Sequence, residues 1–280
     1  MAEVLKGMEV ANAMKEGLIA ENESLIAGGV TPCLAIVRVG ERPDDLAYER
    51  GALKRFEGLG VATQVFTFPE DILQADFEAG FKKINDDAGV SGILLFSPLP
   101  KNLDEGPIKE ILDPAKDMDG MTSANIAKVF AGDDSGYAPC TPEGVIELLK
   151  HFEVPLKGAK VTLVGRSMVV GKPLAMLLLK EHATITICHT RTVDLAAECR
   201  AADILIAAAG AAKMIGADHV KEGAVVIDVG INVDDEGNLC GDVDFEAVEP
   251  LASKITPVPG GVGSVTTSVL AKHVLKAAAK

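Results

Sequence analysis

The chain has 280 residues, a formal net charge of −14, 48% hydrophobic and 24% charged residues. That length holds two domains or one large one, and the composition is that of an ordinary globular protein. So acidic a balance excludes broad electrostatic attraction to nucleic acid or to an anionic membrane, and an anionic ligand must be met by locally placed arginines and lysines.

Taken in chain order, residues 4–27 repeat apolar side chains at helical intervals (Val10, Met14, Leu18, Leu25, Ile26) until Gly28-Gly29 stops the helix. Cys33–Val39 reads as a buried strand ended by Gly40, and Pro43, Asp44 and Asp45 favour a helix start that runs to Glu57. Thr63–Phe68 is a second strand, Phe77–Ile84 a helical face and Ser91–Phe96 a third strand, cut off by Pro98 and Pro100. This alternation predicts a parallel sheet with helices on both faces. A loop-rich passage follows, through DPAKDMDG (113–120) to PCTPEG (139–144), which caps a helix over Glu143–Lys150 and marks the domain boundary. A second alternating unit then begins, with strands at Val161–Val164, Thr184–Cys188, Ala202–Ala208 and Ala224–Val229. A rigid loop, PVPGGVG (257–263), feeds a last helix over Thr266–Ala279.

Five cysteines (Cys33, Cys140, Cys188, Cys199, Cys240) form no CxxC pair and sit among apolar or small residues. Buried, reduced thiols in a cytoplasmic protein are the expectation. Cys140 is read as a packing residue, because no base has a visible claim on it. The five histidines lack ligand-like spacing, so no metal site is expected. The start, MAEVLKGMEV, has no signal-peptide core, and no apolar run approaches the roughly 20 residues of a membrane span.

The stretch Lys160–Lys180 carries the main chemical signal. An apolar strand breaks at Gly165, and Gly171 and Pro173 lead into the apolar helix Leu174–Leu179. Strand, glycine turn and helix N-terminus together favour an anion, through unpaired N–H groups and the helix dipole. The spacing Gly165-x-Ser167-x3-Gly171 is not the general dinucleotide fingerprint, and plain scaffold is the competing reading. The next strand ends in His189-Thr190-Arg191-Thr192, with no acid to take a ribose 2′-hydroxyl. With Arg166 inside the glycine turn, two arginines and Thr190 point to a 2′-phosphate, hence to NADP over NAD. His189 is left as a strand end without a role.

GRSMVVGKP (165–173), DVGIN (228–232), GDVDF (241–245), TPVPGGVG (256–263), DPAKDMDG and PCTPEGV resemble the methylenetetrahydrofolate dehydrogenase/cyclohydrolase family, in its order and over the whole chain. The resemblance implies a homodimeric cytoplasmic α/β enzyme of one-carbon metabolism. It implies a catalytic folate domain (1–140 with 262–280) made of a parallel α/β unit and the returning C-terminal helix, and a Rossmann-type NADP domain (141–261), the folate lying between them. It assigns Gly165, Arg166 and Ser167 to the pyrophosphate and 2′-phosphate turn, joined by Thr190 and Arg191. Ile231 matches the backbone contact near the nicotinamide, Tyr48 the tyrosine stacked on the aminobenzoyl ring, and Asp119 the acid that recognises the pterin. Pro259, Gly260, Gly261 and Val262 match the loop closing over folate and nicotinamide. Without the resemblance, Asp119 reads as a turn acid before Gly120 and Tyr48 as a core aromatic.

The chain departs from this family in three places. The family's lysine four residues after the tyrosine, one helical turn on, is Ala52 here, and neither Lys54 nor Arg55 takes its place. The glutamine that partners that lysine is Phe96, followed by Ser97, and Gly263-Ser264-Val265 stands where the family has Gly-Pro-Met. Dehydrogenation needs juxtaposition, because the folate nitrogens themselves expel the hydride, whereas hydrolysis of the methenyl cation needs a proton-handling group beside water. The expectation is therefore a retained dehydrogenase with weak or absent cyclohydrolase. The alternatives are a rearranged bifunctional site, a dehydrogenase of another small cyclic compound, or a folate- and NADP-binding protein without turnover.

Overall fold

The computed structural model describes residues 1–234 and 236–280. Backbone contacts divide the chain into two units: Met1–Ala13 with Thr141–Thr266, and Met14–Cys140 with Thr267–Lys280. The chain opens with strand β1 (Glu3–Val4) and helix α1 (Gly7–Ala27), where apolar periodicity predicted one helix from residue 4. Glu3 and Val4 pair in parallel with Lys254 and Ile255, a tertiary partner that no local pattern announces.

In the unit holding residues 14–140, β2 (Cys33–Val39) is the centre of a three-stranded parallel sheet. β3 (Ala62–Phe68) lies on one side and β4 (Gly92–Leu95) on the other, in the order β3–β2–β4. β2 is buried at every residue, as a central strand covered on both faces must be, whereas the edge strand β3 alternates between half-buried and exposed. Its crossovers are α2 (Pro43–Glu57) and α3 (Gln74–Asn85). Phe77, Phe81 and Ile84 of α3 pack with Ala35, Val37 and Ile93 of the sheet. The passage expected to be loop contains two helices, α4 (Glu105–Ile111) and α5 (Ser123–Ala131). Both are fixed by their ends: the Asp104 side chain accepts from Gly106 N, Thr122 accepts from Asn125 N, and Gly132 closes α5 in the left-handed region.

Helix α6 (Cys140–His151) starts three residues before its predicted position. The unit that follows has β5 (Lys160–Val164), α7 (Gly171–Lys180), β6 (Thr184–Cys188), α8 (Leu195–Arg200), β7 (Ile204–Ala207) and β8 (Val225–Asp228). After these come β9 (Asn232–Val233), β10 (Leu239–Cys240), α9 (Phe245–Val248), β11 (Lys254–Ile255) and α10 (Thr266–Ala278). Six strands form a parallel sheet in the order β1–β11–β8–β7–β5–β6, and β9 with β10 makes a small antiparallel hairpin. The chain runs outward from β5 to β6, then returns to place β7 on the other side of β5. Such a reversal opens a crevice beyond the carboxyl ends of the strands, where open α/β sheets bind ligands. All five cysteines are buried and none forms a disulfide. Among the described residues no helix is long and apolar enough to cross a membrane.

Candidate active site

At the reversal, β5 ends in Gly165, whose φ is +135°. A Cβ there would stand 2.1 Å from Ala208 O, just past β7, and one at Gly171 would stand 2.4 Å from Gly165 O. The turn is thus packed backbone against backbone, a path only glycine allows. The N–H groups of Val170 and Gly171 are not unpaired, as the motif suggested: both donate to Ser167 Oγ, at 3.0 and 3.4 Å. An anion here is offered the Ser167 hydroxyl proton together with the dipole of α7. Arg166 and Ser167 are exposed.

The neighbouring turn is built the same way. β6 lies beside β5 with Cys188 opposite Val164, and Gly165 N donates to Cys188 O at 2.9 Å. His189 N donates to Thr192 Oγ1 (2.8 Å) while His189 Nδ1 accepts from Arg191 N (3.1 Å). His189 therefore shapes the turn that presents Thr190 and Arg191, both exposed. Neither Arg166 nor Arg191 makes an ion pair among the described residues. Two unneutralised guanidiniums on adjacent turns of so acidic a chain form a local cationic site.

Ile231 follows β8 and is 69% exposed. The glycine loop comes to it: a Cβ on Gly263 would lie 4.0 Å from Ile231 Cδ1. In that loop Val258–Pro259 is cis, Gly7 N donates to Gly260 O at 2.9 Å, Pro259 and Gly260 are exposed, and Gly261 and Val262 are buried.

In the other unit Tyr48 is half-buried on α2, and its ring meets Phe96, just past β4, edge to face with centroids 5.8 Å apart. Ala52, one turn on, is fully buried. Arg38 of β2 pairs with Glu49 at 3.0 Å, side chains almost buried, and also donates to Gly40 O. Arg42 donates to Pro98 O at 2.7 Å, so α2 is tied to the segment after Phe96. Ser97 Oγ and Leu99 N both donate to Glu105 Oε1. Burial acts to raise the Glu105 carboxyl, but these bonds and Lys109 outweigh it and hold the group below its ordinary value.

Asp119 is held by groups the sequence did not reveal. Asp117, 1% exposed, accepts from Met121 N, Thr122 N, Thr122 Oγ1 and Asn125 Nδ2, which fixes the turn that follows Asp119. Asp119 Oδ1 accepts from Cys140 N at 2.7 Å. Burial pushes the Asp119 carboxyl above the usual range, by more than the Cys140 bonds lower it, and neighbouring Asp117 adds to the rise. Behind it Cys140 Sγ donates to Met118 O, and His273 Nδ1 lies 4.0 Å from that sulfur. The same nitrogen is 2.8 Å from Met118 O, which only accepts, so Nδ1 carries a proton and is not a base toward Cys140. The one signal in the sequence that could have pointed to these groups is Thr122, a capping residue whose side chain accepts from Asn125 N. No group of histidine, cysteine or acidic side chains among the described residues is arranged to hold a metal ion.

The predicted residues thus gather as Gly165–Ser167 with Thr190–Arg191, as Ile231 with the glycine loop, and as Tyr48 with Phe96, with Asp119 on its own buried turn. The family description "tetrahydrofolate dehydrogenase/cyclohydrolase, catalytic domain" matches residues 5–119, and "tetrahydrofolate dehydrogenase/cyclohydrolase, NAD(P)-binding domain" matches residues 139–280. The bifunctional protein FolD of Clostridioides difficile is 58% identical over 275 residues, covering 98% of this chain and 96% of that protein. The crystal structure of the bifunctional FolD of Campylobacter jejuni superposes with a TM-score of 0.96 at 39% identity, covering 100% and 99% of the two chains. The Trypanosoma brucei methylenetetrahydrofolate dehydrogenase-cyclohydrolase, solved with NADP cofactor and inhibitor, gives 0.93 at 33% identity over 99% and 97%.

Proposed function

The chain belongs to the tetrahydrofolate dehydrogenase/cyclohydrolase family, and from that premise we propose that it oxidises 5,10-methylenetetrahydrofolate to the methenyl cation with NADP, and hydrolyses that cation weakly or not at all. It is a methylenetetrahydrofolate dehydrogenase of one-carbon metabolism. NADP, when bound, supplies the hydride acceptor. The cradle suits it: at Gly165 and Gly171 a Cβ would fill space that close backbone approach requires, and the cations beside it are unneutralised. Arg166, Ser167, Thr190 and Arg191 hold the phosphates, and the backbone at Ile231 meets the nicotinamide side. Tyr48 stacks on the aminobenzoyl ring, Asp119 accepts from the pterin N–H groups, and Pro259–Val262 cover the reactants. The sequence-derived division, 1–140 with 262–280 for folate and 141–261 for NADP, is kept as the functional one, β1 being lent to the cofactor-binding sheet. A cytoplasmic homodimer completes the reading.

One observation carries the loss of hydrolysis. Where the family places a lysine and its glutamine partner, this chain has a fully buried methyl at Ala52 and a ring at Phe96 packed on Tyr48. Neither can move a proton to or from an attacking water. Lys54 is exposed, and the half-buried Arg55, though burial lowers its pKa, is too strong a base to shuttle protons near neutrality. Both half-reactions are to be assayed on one preparation. NADPH formation with methylenetetrahydrofolate, and methenyltetrahydrofolate decay at the spontaneous rate without NADP, are expected; decay well above that rate overturns the proposal. The second reading, a fully bifunctional enzyme, is favoured by the names of relatives at 58% identity. Under it, Lys54→Ala abolishes the hydrolysis found.

A further inference from the structure

Two motifs, DVGIN and GDVDF, have so far contributed only Ile231. Each contains an acid that looks like an ordinary turn residue, and both acids are buried: Asp228 is 3% exposed and Asp242 0%. Asp242 accepts from Ala209 N (2.5 Å), Gly210 N (3.0 Å) and Ala211 N (2.9 Å), three successive amides of the turn after β7, and from Asn232 Nδ2 (2.9 Å). Asp228 accepts from Gly230 N (2.9 Å), Asp242 N (3.0 Å) and Val243 N (2.9 Å). Asp228 thus anchors the backbone that carries Asp242, and Asp242 anchors the turn after β7 and the side chain of Asn232. The approach is as close as the chain permits, since a Cβ on Gly230 would lie 2.3 Å from Asp242 Oδ1 and one on Gly241 1.9 Å from Asp228 Oδ2. Asp228 N in turn donates to Thr256 Oγ1 at 2.7 Å, at the root of the glycine loop.

We propose that Asp228 and Asp242 are positioning residues for the dinucleotide: an interlocked carboxylate pair that fixes the turns after β7 and β8, and with them the Ile231 backbone, against the nicotinamide half of NADP. This rests on the reading of the site as an NADP site. Both carboxylates are buried and bonded to the chain's own groups, so the role assigned to them acts through the backbone. Three successive amides converging on one carboxylate form a nest of the kind that binds anions, and here the chain fills it with its own. The amides of Ala209, Gly210 and Ala211 are therefore taken by the chain's own carboxylate, which favours the Arg166–Ser167 side for the phosphates. A turn held from inside by two carboxylates enclosed in backbone amides is preorganised for its ligand.

The test compares Asp242→Asn with wild type in three measurements: calorimetric NADP binding without folate, steady-state KM for methylenetetrahydrofolate, and amide hydrogen exchange. An amide side chain can replace only part of the nest, because its nitrogen faces donors. NADP binding is expected to weaken about tenfold or more, with the folate KM changing by less than about twofold, and Ala209–Ala211 to exchange about tenfold faster. Should that variant not fold, Asn232→Ala removes a single bond to Asp242 and is expected to weaken NADP about threefold with the same split. A folded Asp242→Asn (or Asn232→Ala) variant with unchanged NADP affinity, or with both substrates weakened equally, overturns the clasp alone. Wild-type protein that binds no NADP overturns the functional reading, and the cofactor role of the clasp falls with it.

Discussion

The rim of the six-stranded sheet and the face of α2 are both lined by predicted site residues, and they hold their chemistry in different materials. On the rim, backbone groups define the site: Gly165 against Ala208, Ser167 over the first amides of α7, Asp242 on the amides of 209–211. On α2 it is defined by side chains, Tyr48 on Phe96, with the buried Ala52 one turn along the helix. A backbone-built site allows almost no substitution without losing the turn. A side-chain site can exchange a polar pair for an apolar one while the helix stays where it is. On the proposed reading, that contrast is how hydrolysis could be lost while dehydrogenation is kept.

The sharpest way to break the comparison is Gly165→Ala. With φ at +135° and a Cβ 2.1 Å from Ala208 O, the turn must move. The expected cost is about 3 kcal/mol or more, with NADP binding lost, measured by thermal denaturation and calorimetry. On the α2 side, Ala52→Lys with Phe96→Gln should raise methenyltetrahydrofolate hydrolysis by about tenfold or more. Ala52→Lys alone overfills a closed site, and is expected to cost about 1–3 kcal/mol without gain. No gain from the pair shows that more than these two positions was rebuilt.

Asp119 gives a third test. Because burial raises its carboxyl in the folded chain, the group takes up its proton at a higher pH than an ordinary aspartate. If the carboxylate binds the pterin, the folate KM should rise as pH falls, beginning above the usual carboxylate range. Asp119→Asn should flatten that limb and raise KM about tenfold. The smallest effect is expected from Arg191→Gln. Loss of one exposed cation should narrow the NADP over NAD preference about five- to tenfold and weaken its salt dependence, measured as the ratio of kcat/KM values. A preference unchanged in both Arg191→Gln and Arg166→Gln removes the 2′-phosphate from these turns.

What was legible in the sequence follows the same division. Cys33–Val39, bounded by Pro32 and Gly40, and Thr184–Cys188, an alternating β-branched run, were placed to the residue, because such short runs have few other uses. Helices α4 and α5 were hidden by prolines and aspartates that read as loop, though Asp104, Thr122 and Gly132 are capping residues at the right spacing. β1 was illegible, because two residues carry no period and their partner lies at the far end of the chain. In the site, motif residues could be placed, but their supports could not. Asp117, Asp228 and Asp242 look like solvated turn acids until the amides that surround them are known. His273 looks like one polar residue on an apolar helix, until Met118 O is found opposite it.

The contact between Tyr48 and Phe96 has an optical consequence. The chain contains no tryptophan and only two tyrosines. Tyr137 is buried, with Lys276 and Lys280 lying over its ring at 4.8 and 4.9 Å. Intrinsic emission therefore comes from one enclosed phenol and from one that shares its face with the proposed substrate. In a Tyr137→Phe background the whole signal belongs to Tyr48. Ligand occupancy at the α2 face then becomes readable in an unlabelled protein, separately from events on the sheet rim.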